Sequence, residues 1–471
     1  MVATLLAWSS PLGAAVPAWA RATRAALPAG ATGVPQGYLP TLACPAVGAC
    51  VAAGLYADAH QTPRGLLLVE SAGRWAAPRT IAAPAGAAAS PGLTPNALAC
   101  AAVGSCAVVG AYQASGGITL PFALTEAGGR WTPARTVPLP AGAASTGQVA
   151  QLRGVACPAP GACVAVGTYV AAGTPAATVG FAVTQVGGVW GAPVSLPAPP
   201  DANLASVLGI PQVACSAVGH CVAIGTYLDT DNVQHGLVLS DVGGRWGPAQ
   251  PVTPPPDASL YAHVTLSALA CSADGSCTAV GTYYDHAGTT QLLALESRGG
   301  RWSPAVAIPA PAGAARDPRA FYYGYVDLAC SSATTCAAGG QYVDAAGRYQ
   351  GFLLDETGGV WSRATRLTLP RGASQVGRNG GVVALACPAA GSCRAGAAYL
   401  DAAGRYQALV LSQAHGRWLA GQSVVLPAGG ASVGVDGGVY ALACPSVTSC
   451  TAVGSYLAGA TTYQGFLVAT T

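Results

Sequence analysis

The apolar residues of this chain fall into short runs that recur about every 57 residues, with 56 to 59 residues between successive units. Each unit contains four runs of strand length, which we call A, B, C and D. Run A ends at a cysteine (Ser267–Cys271), and run B begins at a second cysteine (Cys163–Tyr169). Run C is the apolar stretch Gly351–Glu356, and run D begins at a tryptophan and ends near a proline (Trp131–Pro138). Such a period predicts a repeat architecture.

The segments between the runs predict antiparallel hairpins. A short turn between the two cysteines connects A to B, and Gly-Gly or a near equivalent connects C to D, because glycine tolerates the positive φ of tight turns. The B–C loop often reads Tyr-x-Asp…Gly, as at Tyr399, Asp401 and Gly404, and we interpret this aspartate as a turn former. Run B is apolar on both faces, which indicates a sheet covered on both sides. The fold class predicted is therefore all-β, an eight-bladed β-propeller with four antiparallel strands per blade.

The two ends of the chain together make one unit. The eighth unit starts at Leu442 and reaches Thr471 with runs A, B and C but no D. Before the first run A, Trp19–Pro28 repeats the pattern of the run D segment Trp361–Pro370. We therefore expect a single propeller over residues 16–471, in which an N-terminal strand at about 18–28 completes the blade formed by about 438–471.

Residues 1–15 are predicted to be a signal-like or disordered leader, because they combine an apolar stretch with small residues. Ala18-Trp19-Ala20 also resembles a cleavage site. Cleavage there would remove Trp19 from the closing strand, whereas cleavage near residues 13–16 would leave that strand complete.

The sixteen cysteines form eight pairs, all spaced Cys-x5-Cys. Structural zinc sites favour closer spacing and usually add histidine, so we predict eight local disulfides and no metal. Disulfides persist in oxidising compartments, which indicates a secreted or cell-surface protein. The predicted pairs are Cys44/Cys50, Cys100/Cys106, Cys157/Cys163, Cys215/Cys221, Cys271/Cys277, Cys330/Cys336, Cys387/Cys393 and Cys444/Cys450.

The charge and composition of the chain limit the classes of partner that we expect. Charged residues make up 8% of the chain, the net charge is +3, and no lysine occurs. Without a basic run, we expect no nucleic-acid partner. After the first segment, glycine, proline and polar residues interrupt every apolar stretch, so no membrane span is expected. The 52% apolar residues argue against a disordered chain.

The repeated unit resembles a known group of proteins. Cys157-Pro158, Cys163 to Tyr169 and Gly187-Gly188-Val189-Trp190 are similar to repeats in exported bacterial proteins of actinobacterial type, loosely grouped with BNR-like and kelch-like propellers and mostly uncharacterised. The resemblance covers nearly the whole chain and implies a secreted β-propeller without an assigned activity. The unit departs from the Asp-box pattern Ser-x-Asp-x-Gly-x-x-Trp, which weakens any sialidase interpretation.

Variable loops on a rigid scaffold usually carry binding sites. In the predicted topology, the A–B and C–D turns share one face, and the longer B–C and D–A loops share the other. The sixth D–A loop has four aromatic residues within five positions; these could grip a sugar or peptide, or pack between blades. The ligand-binding candidates are Arg316, Arg319, Phe321, Tyr322, Tyr323, Tyr325, Asp327, Tyr261, His263, Arg378, Asp436 and Tyr440, with Tyr38, Arg153 and Asn379 at related loop positions.

Signals for catalysis are weak, and no catalytic residue or cofactor is predicted. Glu70, Glu126, Glu296 and Glu356 recur before the C–D turn, which we interpret as part of the repeat. Asp229–Asn232 is faintly calcium-like but lacks the glycine and distal glutamate of a calcium loop. No nucleophile or phosphate-loop motif occurs.

The favoured hypothesis is a non-enzymatic module that binds a polysaccharide or an extracellular protein, with its oligomeric state left open. The alternative is a carbohydrate-active hydrolase or lyase at the channel mouth, which would require Asp327 or Asp436 to pair with another acid. An eight-bladed quinone-dependent dehydrogenase fits the blade count and Trp period only.

Overall fold

The computed structural model describes residues 16–33, 39–173, 176–203, 209–315, 321–373, 375–378, 380–435, 437–459 and 462–471, and for residues 321–325 it describes the backbone only. These residues form eight antiparallel sheets, each with its strands in the order A, B, C, D. The predicted eight-bladed, all-β propeller is confirmed. Over the same ranges no helix occurs, and so none is present that could cross a membrane.

Strands A, B and C are long and continuous in most blades. In blades 1 to 8, strand A spans Thr41–Ala46, Thr94–Ala102, Gln151–Ala159, Gly209–Ala217, Thr265–Cys271, Phe321–Ser332, Ala384–Ala386 and Gly438–Ala443. Strand B spans Ala49–Ala57, Ser105–Gln113, Ala162–Ala171, His220–Leu228, Cys277–Tyr284, Thr335–Val343, Arg394–Leu400 and Thr451–Ala458. Strand C spans Pro63–Ser71, Thr119–Ala127, Ala177–Val186, Gln234–Val242, Thr290–Arg298, Tyr349–Thr357, Tyr406–Ala414 and Thr462–Ala469.

Strand D differs from the prediction in one detail, because it consists of two short pieces instead of one run. Proline or glycine often follows the tryptophan, and proline has no N–H for the ladder. The first pieces, in blades 1 to 7, are Arg74–Trp75, Arg130–Trp131, Val189–Trp190, Arg245–Trp246, Arg301–Trp302, Val360–Trp361 and Arg417–Trp418. The second pieces are Arg79–Ile81, Arg135–Thr136, Val194–Ser195, Gln250–Pro251, Val306–Ile308, Thr365–Arg366 and Gln422–Ser423.

The N-terminal segment closes the ring, as the Trp19 repeat predicts. The short strand Thr23–Arg24 pairs antiparallel with strand C of blade 8, and Trp19 bridges to Thr470. Blade 8 also carries a short extra strand, Gly430–Ser432, which pairs with the last residues of its strand B. This closure leaves no open sheet end between the last blade and the first.

The hydrophobic core lies between the blades. One cluster packs Val280 and Leu292 of blade 5 against Phe352 and Leu354 of blade 6. The equivalent cluster at the seam joins blade 8 to blade 1 and includes Ala25 of the closing strand. Strand B is buried along most of its length in each blade, which explains why the sequence shows no polar face there.

The short turns meet on one face of the ring, which we call the turn face. All eight predicted disulfides form between strands A and B. The C–D turns use two residues with positive φ, such as Gly128 and Gly129, as a type I′ hairpin requires. The Gly129 N–H donates to the Gly104 carbonyl at 3.2 Å, so the C–D turn rests on the disulfide-closed A–B turn. The B–C and D–A loops meet on the opposite face, the loop face.

The second cysteine of each disulfide belongs to the core between blades. The second cysteine of each pair lies at the start of strand B, where its side chain is buried. The Cys50 sulfur lies 3.7 Å from the Thr451 hydroxyl of blade 8, and the Cys336 sulfur lies 3.8 Å from the Thr278 hydroxyl of blade 5. These cysteines therefore serve the scaffold, as predicted for local disulfides. The most buried are Cys50, Cys106, Cys221 and Cys336, each 2% exposed, and Cys450, 1% exposed.

Candidate functional site

The innermost strands carry β-bulges near the loop face. In blade 3, Leu152 pairs with Gly167 and Gly154 pairs with Val166, so Arg153 is an extra residue. Bulges redirect a side chain and are common beside functional sites. The corresponding extra residues are Asn96 in blade 2, Ser267 in blade 5 and Tyr440 in blade 8, while blades 4 and 6 have larger irregularities at 210–211 and 322–325.

A glycine in strand B makes the bulge possible. A Cβ on Gly167 would lie 1.9 Å from the carbonyl oxygen of Gln151, far inside any contact distance. Gly225 in blade 4 and Gly281 in blade 5 meet the same restriction from Gly209 and Thr265. The repeated Val-Gly of strand B thus allows the bulged strand A to approach closely.

A cavity of about 360 Å³ lies where the bulged strands of blades 3, 4 and 5 converge. We call it the loop-face cavity. Part of its wall is apolar, with Ile210 and Leu266 almost completely buried. The rest carries hydroxyl, amide and guanidinium groups. Its lining comprises Val149, Gln151, Arg153, Thr168, Val170, Thr178, Gly209, Ile210, Pro211, Thr226, Thr265 and Leu266.

Arg153 supplies the only charge among the described residues that line this cavity. Its side chain is exposed, and its Nη2 donates to the amide oxygen of Gln151 at 2.8 Å when that amide is oriented with its oxygen toward the guanidinium. Gln151 therefore helps to hold the guanidinium at the cavity. With four threonine side chains and no carboxylate in the lining, the arrangement favours a hydroxylated or anionic ligand over a cation.

Asp327 lies at the contact between the inner strands of blades 6 and 7. Its Oδ2 accepts a hydrogen bond from the backbone N–H of Leu385 at 2.7 Å and so links the inner strands of blades 6 and 7. Burial raises the pKa of the Asp327 carboxyl to about 6. Hydrogen bonds from the backbone N–H groups of Leu328 and Leu385 act in the opposite direction and lower it. Among the described residues no acid contributes to this shift, whereas a carboxylate dyad would supply one.

Four of the other predicted ligand residues are described with their side chains, and each has its own surroundings. Tyr261 is exposed, and the His263 ring lies 5.3 Å from that of Tyr284. The Arg378 N–H donates to the Tyr406 hydroxyl, and the Tyr440 hydroxyl accepts from Ser455 at 3.3 Å. Arg316, Arg319 and Asp436 lie outside the described residues, as do the side chains of Phe321, Tyr322, Tyr323 and Tyr325, so their roles stay predictions.

The loop aspartates form turns, as predicted for the Tyr-x-Asp…Gly loop with Asp401, and Asp344 forms the same turn. Oδ1 of Asp401 accepts from the backbone N–H groups of Ala403 and Arg405, each at 2.9 Å. Asp229 does the same with Asp231 and Val233, so the faintly calcium-like segment is an Asx-type turn. Among the residues described, no three His, Cys, Asp or Glu side chains come together as metal ligands would.

The proposed equivalence of four glutamates is wrong for one of them. Glu70, Glu126 and Glu356 each pair across the C–D hairpin with a tryptophan, but in blade 5 it is Ser297 that pairs with Trp302. Glu296 is therefore one residue earlier and points to the other side of its sheet.

The strand C residue that precedes the partner of the tryptophan links neighbouring blades on the turn face. Thr125 of blade 2 accepts from Gln185 at 2.9 Å and from Trp190 at 3.2 Å, both in blade 3. Asp355 of blade 6 accepts from Gln413 and Trp418 of blade 7 in the same way. Trp190 and Trp418 are thus structural donors between blades, whereas the indole nitrogens of Trp19, Trp131, Trp302 and Trp361 have no partner in the described structure.

Comparisons with known proteins give only distant likenesses. No protein-family model and no curated protein matches this chain. Among solved structures, the chain is similar to the BP39L lectin of Burkholderia pseudomallei, with a TM-score of 0.43, 15% identity, and coverage of 82% of this chain and 98% of the lectin. It is also similar to an ulvan lyase, with a TM-score of 0.42, 11% identity, and coverage of 87% and 98%. A Trypanosoma rangeli sialidase gives a TM-score of 0.38, 9% identity, and coverage of 83% and 56%.

Proposed function

We propose that this protein is an exported, non-catalytic propeller that binds an acidic glycan in the loop-face cavity. The observation that carries the proposal is the composition of that cavity, where one guanidinium and four threonines face apolar residues in a volume of about 360 Å³. Sugars present hydroxyl groups and apolar C–H faces together, which suits such a mixed lining. Arg153 would pair with a sugar carboxylate through charge-assisted hydrogen bonds.

Two further features support a binding role in an oxidising environment. All sixteen cysteines are disulfide-bonded, with no free thiol, and disulfides of this kind persist outside the cytosol. Asp327, the one described acid among the predicted channel residues, is engaged by the backbone of Leu385. A hydrolase or lyase would instead place a free acid or base beside the sugar.

Binding of oligogalacturonate, a chain of uronic acids, tests the proposal, with a neutral cello-oligosaccharide as the comparison ligand. We expect Arg153→Ala to weaken oligogalacturonate binding by at least about tenfold, since a charged hydrogen bond is lost. Thr226→Val should weaken it less, because it removes one hydroxyl with little change in shape. Arg130→Ala is the matched control, since Arg130 is exposed on the turn face.

Equal binding by the wild type and Arg153→Ala would contradict this placement of the site. Release of reducing ends or unsaturated sugars from the ligand would show a hydrolase or lyase instead of a binding module. Failure of every glycan, together with capture of a defined extracellular protein on the same face, would replace the glycan by a protein partner.

A further inference from the structure

Strand B of blade 7 contains a charge that the other blades lack. The residue after the second cysteine is valine, alanine or threonine in seven blades, but arginine in blade 7. Arg394 is nevertheless only 2% exposed. The eight residues at this position are Val51, Ala107, Val164, Val222, Thr278, Ala337, Arg394 and Thr451.

The guanidinium of Arg394 has no counter-ion among the described residues. Its Nη1 donates to the carbonyls of Ser392 at 3.3 Å, Cys393 at 3.0 Å and Gln413 at 3.2 Å. Its Nη2 donates to the Val447 carbonyl of blade 8 at 3.2 Å, and Nε has no partner in the described structure. None of the ion pairs between described residues includes Arg394.

Such an arrangement is unfavourable without a further partner. Transfer of a charge from water into a protein interior is costly unless an opposite charge and full hydrogen bonding offset it. Carbonyl dipoles offset part of the cost here, and burial lowers the pKa of the Arg394 guanidinium. Arginine nevertheless stays protonated in proteins, so the positive charge persists.

A cavity of about 180 Å³ adjoins this side chain at the boundary of blades 7 and 8. Its volume equals about six water molecules at roughly 30 Å³ each, enough for a small organic anion. The lining includes Ser392, His415 and Thr448, each of which can donate a hydrogen bond, and Val16 and Pro17 from the N-terminal segment. No aspartate or glutamate is among the described residues of the lining, so no carboxylate of theirs repels an anion.

We propose that this cavity binds a small oxoanion, either a carboxylate or a sulfate, with Arg394 as the counter-charge. Arg394 would use the Nε–H left unpaired by the protein, and the neighbouring hydroxyl groups would complete the shell. The site lies on the turn face, opposite the loop-face cavity, and does not depend on the function proposed above.

Calorimetric titration with sodium sulfate and with sodium acetate, at constant ionic strength in chloride, tests this site. We expect saturable binding with one anion per chain. Arg394→Thr gives blade 7 the residue of blades 5 and 8 and should reduce affinity by at least about tenfold. Arg153→Ala should bind the anion as the wild type does, which separates this site from the loop-face cavity. Arg417→Ala, on an exposed neighbour in the same blade, is the control for surface charge.

The absence of saturable binding of either anion to the wild type would overturn the proposal, whatever the variants do. Arg394 would then act only as a clamp on four backbone carbonyls, and Arg394→Thr would lower the melting temperature without changing its response to salt. Equal affinity in Arg394→Thr and the wild type would also reject the assignment. Sulfate stabilises proteins generally by exclusion from their surface. Support therefore requires saturable anion binding by the wild type that is weaker in Arg394→Thr.

Discussion

Replacing Glu356 by glutamine should stabilise the folded protein at alkaline pH. The Glu356 side chain is completely buried between blades 5 and 6, where its carboxyl group faces that of Glu296. Burial first, and then the neighbouring charge of Glu296, raises the pKa of Glu356 from 4.5 to about 7. Arg298 pairs with Glu296 at 2.9 Å and opposes the rise.

The magnitude follows from this change in pKa. Because the folded pKa exceeds the unfolded value, the stabilisation by the proton is complete below about pH 4.5 and is lost as the pH rises through about 7. At ~1.36 kcal/mol per pKa unit, ionised Glu356 destabilises the fold by about 3 kcal/mol. Glutamine removes that charge and can donate to Glu296, as Gln413 donates to Asp355 at 2.9 Å.

Urea unfolding of the disulfide-intact protein at pH 5 and pH 8 measures the effect. Glu356→Gln should gain roughly 2–3 kcal/mol at pH 8 and much less at pH 5, where Glu356 is already protonated. Gln413→Glu provides the mirror test, since it places a second carboxylate beside Asp355 and should destabilise the protein at pH 8.

The reasoning fails if Glu356→Gln is no more stable than the wild type at pH 8. A gain of the same size at both pH values would also refute it, because the gain would then come from packing and not from the proton.

Three further predictions concern the scaffold. A chain that begins at Pro28 lacks the strand Thr23–Arg24 and should melt at a clearly lower temperature or aggregate; unchanged melting would exclude closure by this strand. Asp355→Ala leaves Gln413 and Trp418 without their acceptor and should lower the unfolding free energy by about 1–3 kcal/mol, whereas the exposed Asp231→Ala should change it little. Thiol titration of the denatured, unreduced protein should detect no free cysteine, and several thiols per chain would show that the disulfides are incomplete.

The repeat made most of the scaffold predictable. The cysteine spacing alone determines which strands form each hairpin, because a bridge across six positions requires the chain to reverse between them. The likeness of Trp19–Pro28 to Trp361–Pro370 predicted the closing strand, since the same pattern of tryptophan, threonine and arginine packs in the same place. Such local patterns can be recognised in the sequence because the same residues recur in each repeat.

The loop-face cavity depends on residues that do not recur in every repeat, so the repeat pattern did not predict it. Arg153 was recognised only as a loop position, because an extra residue in a bulge leaves no mark in the apolar pattern. Gln151, Thr168, Thr178, Thr226 and Thr265 were missed altogether. The Val-Gly pair of strand B was a usable signal, since glycine in a buried strand often marks a bulge or a close backbone approach.

One wrong interpretation and one missed residue both reflect the folded sheet rather than the local sequence. Glu296 looked equivalent to Glu356, yet a shift of one residue along a strand moves a side chain to the opposite face of the sheet. The role of Arg394 could not be predicted, because burial without a counter-ion is a property of the folded ring and not of the local sequence.

The most direct test of the proposed function is a crystal structure of the protein with oligogalacturonate bound. We predict a sugar carboxylate within about 3 Å of the Arg153 guanidinium, with the sugar ring between Ile210 and the threonine hydroxyls of the loop-face cavity. A sugar bound only on the turn face, or an empty loop-face cavity at saturating ligand, would contradict the account.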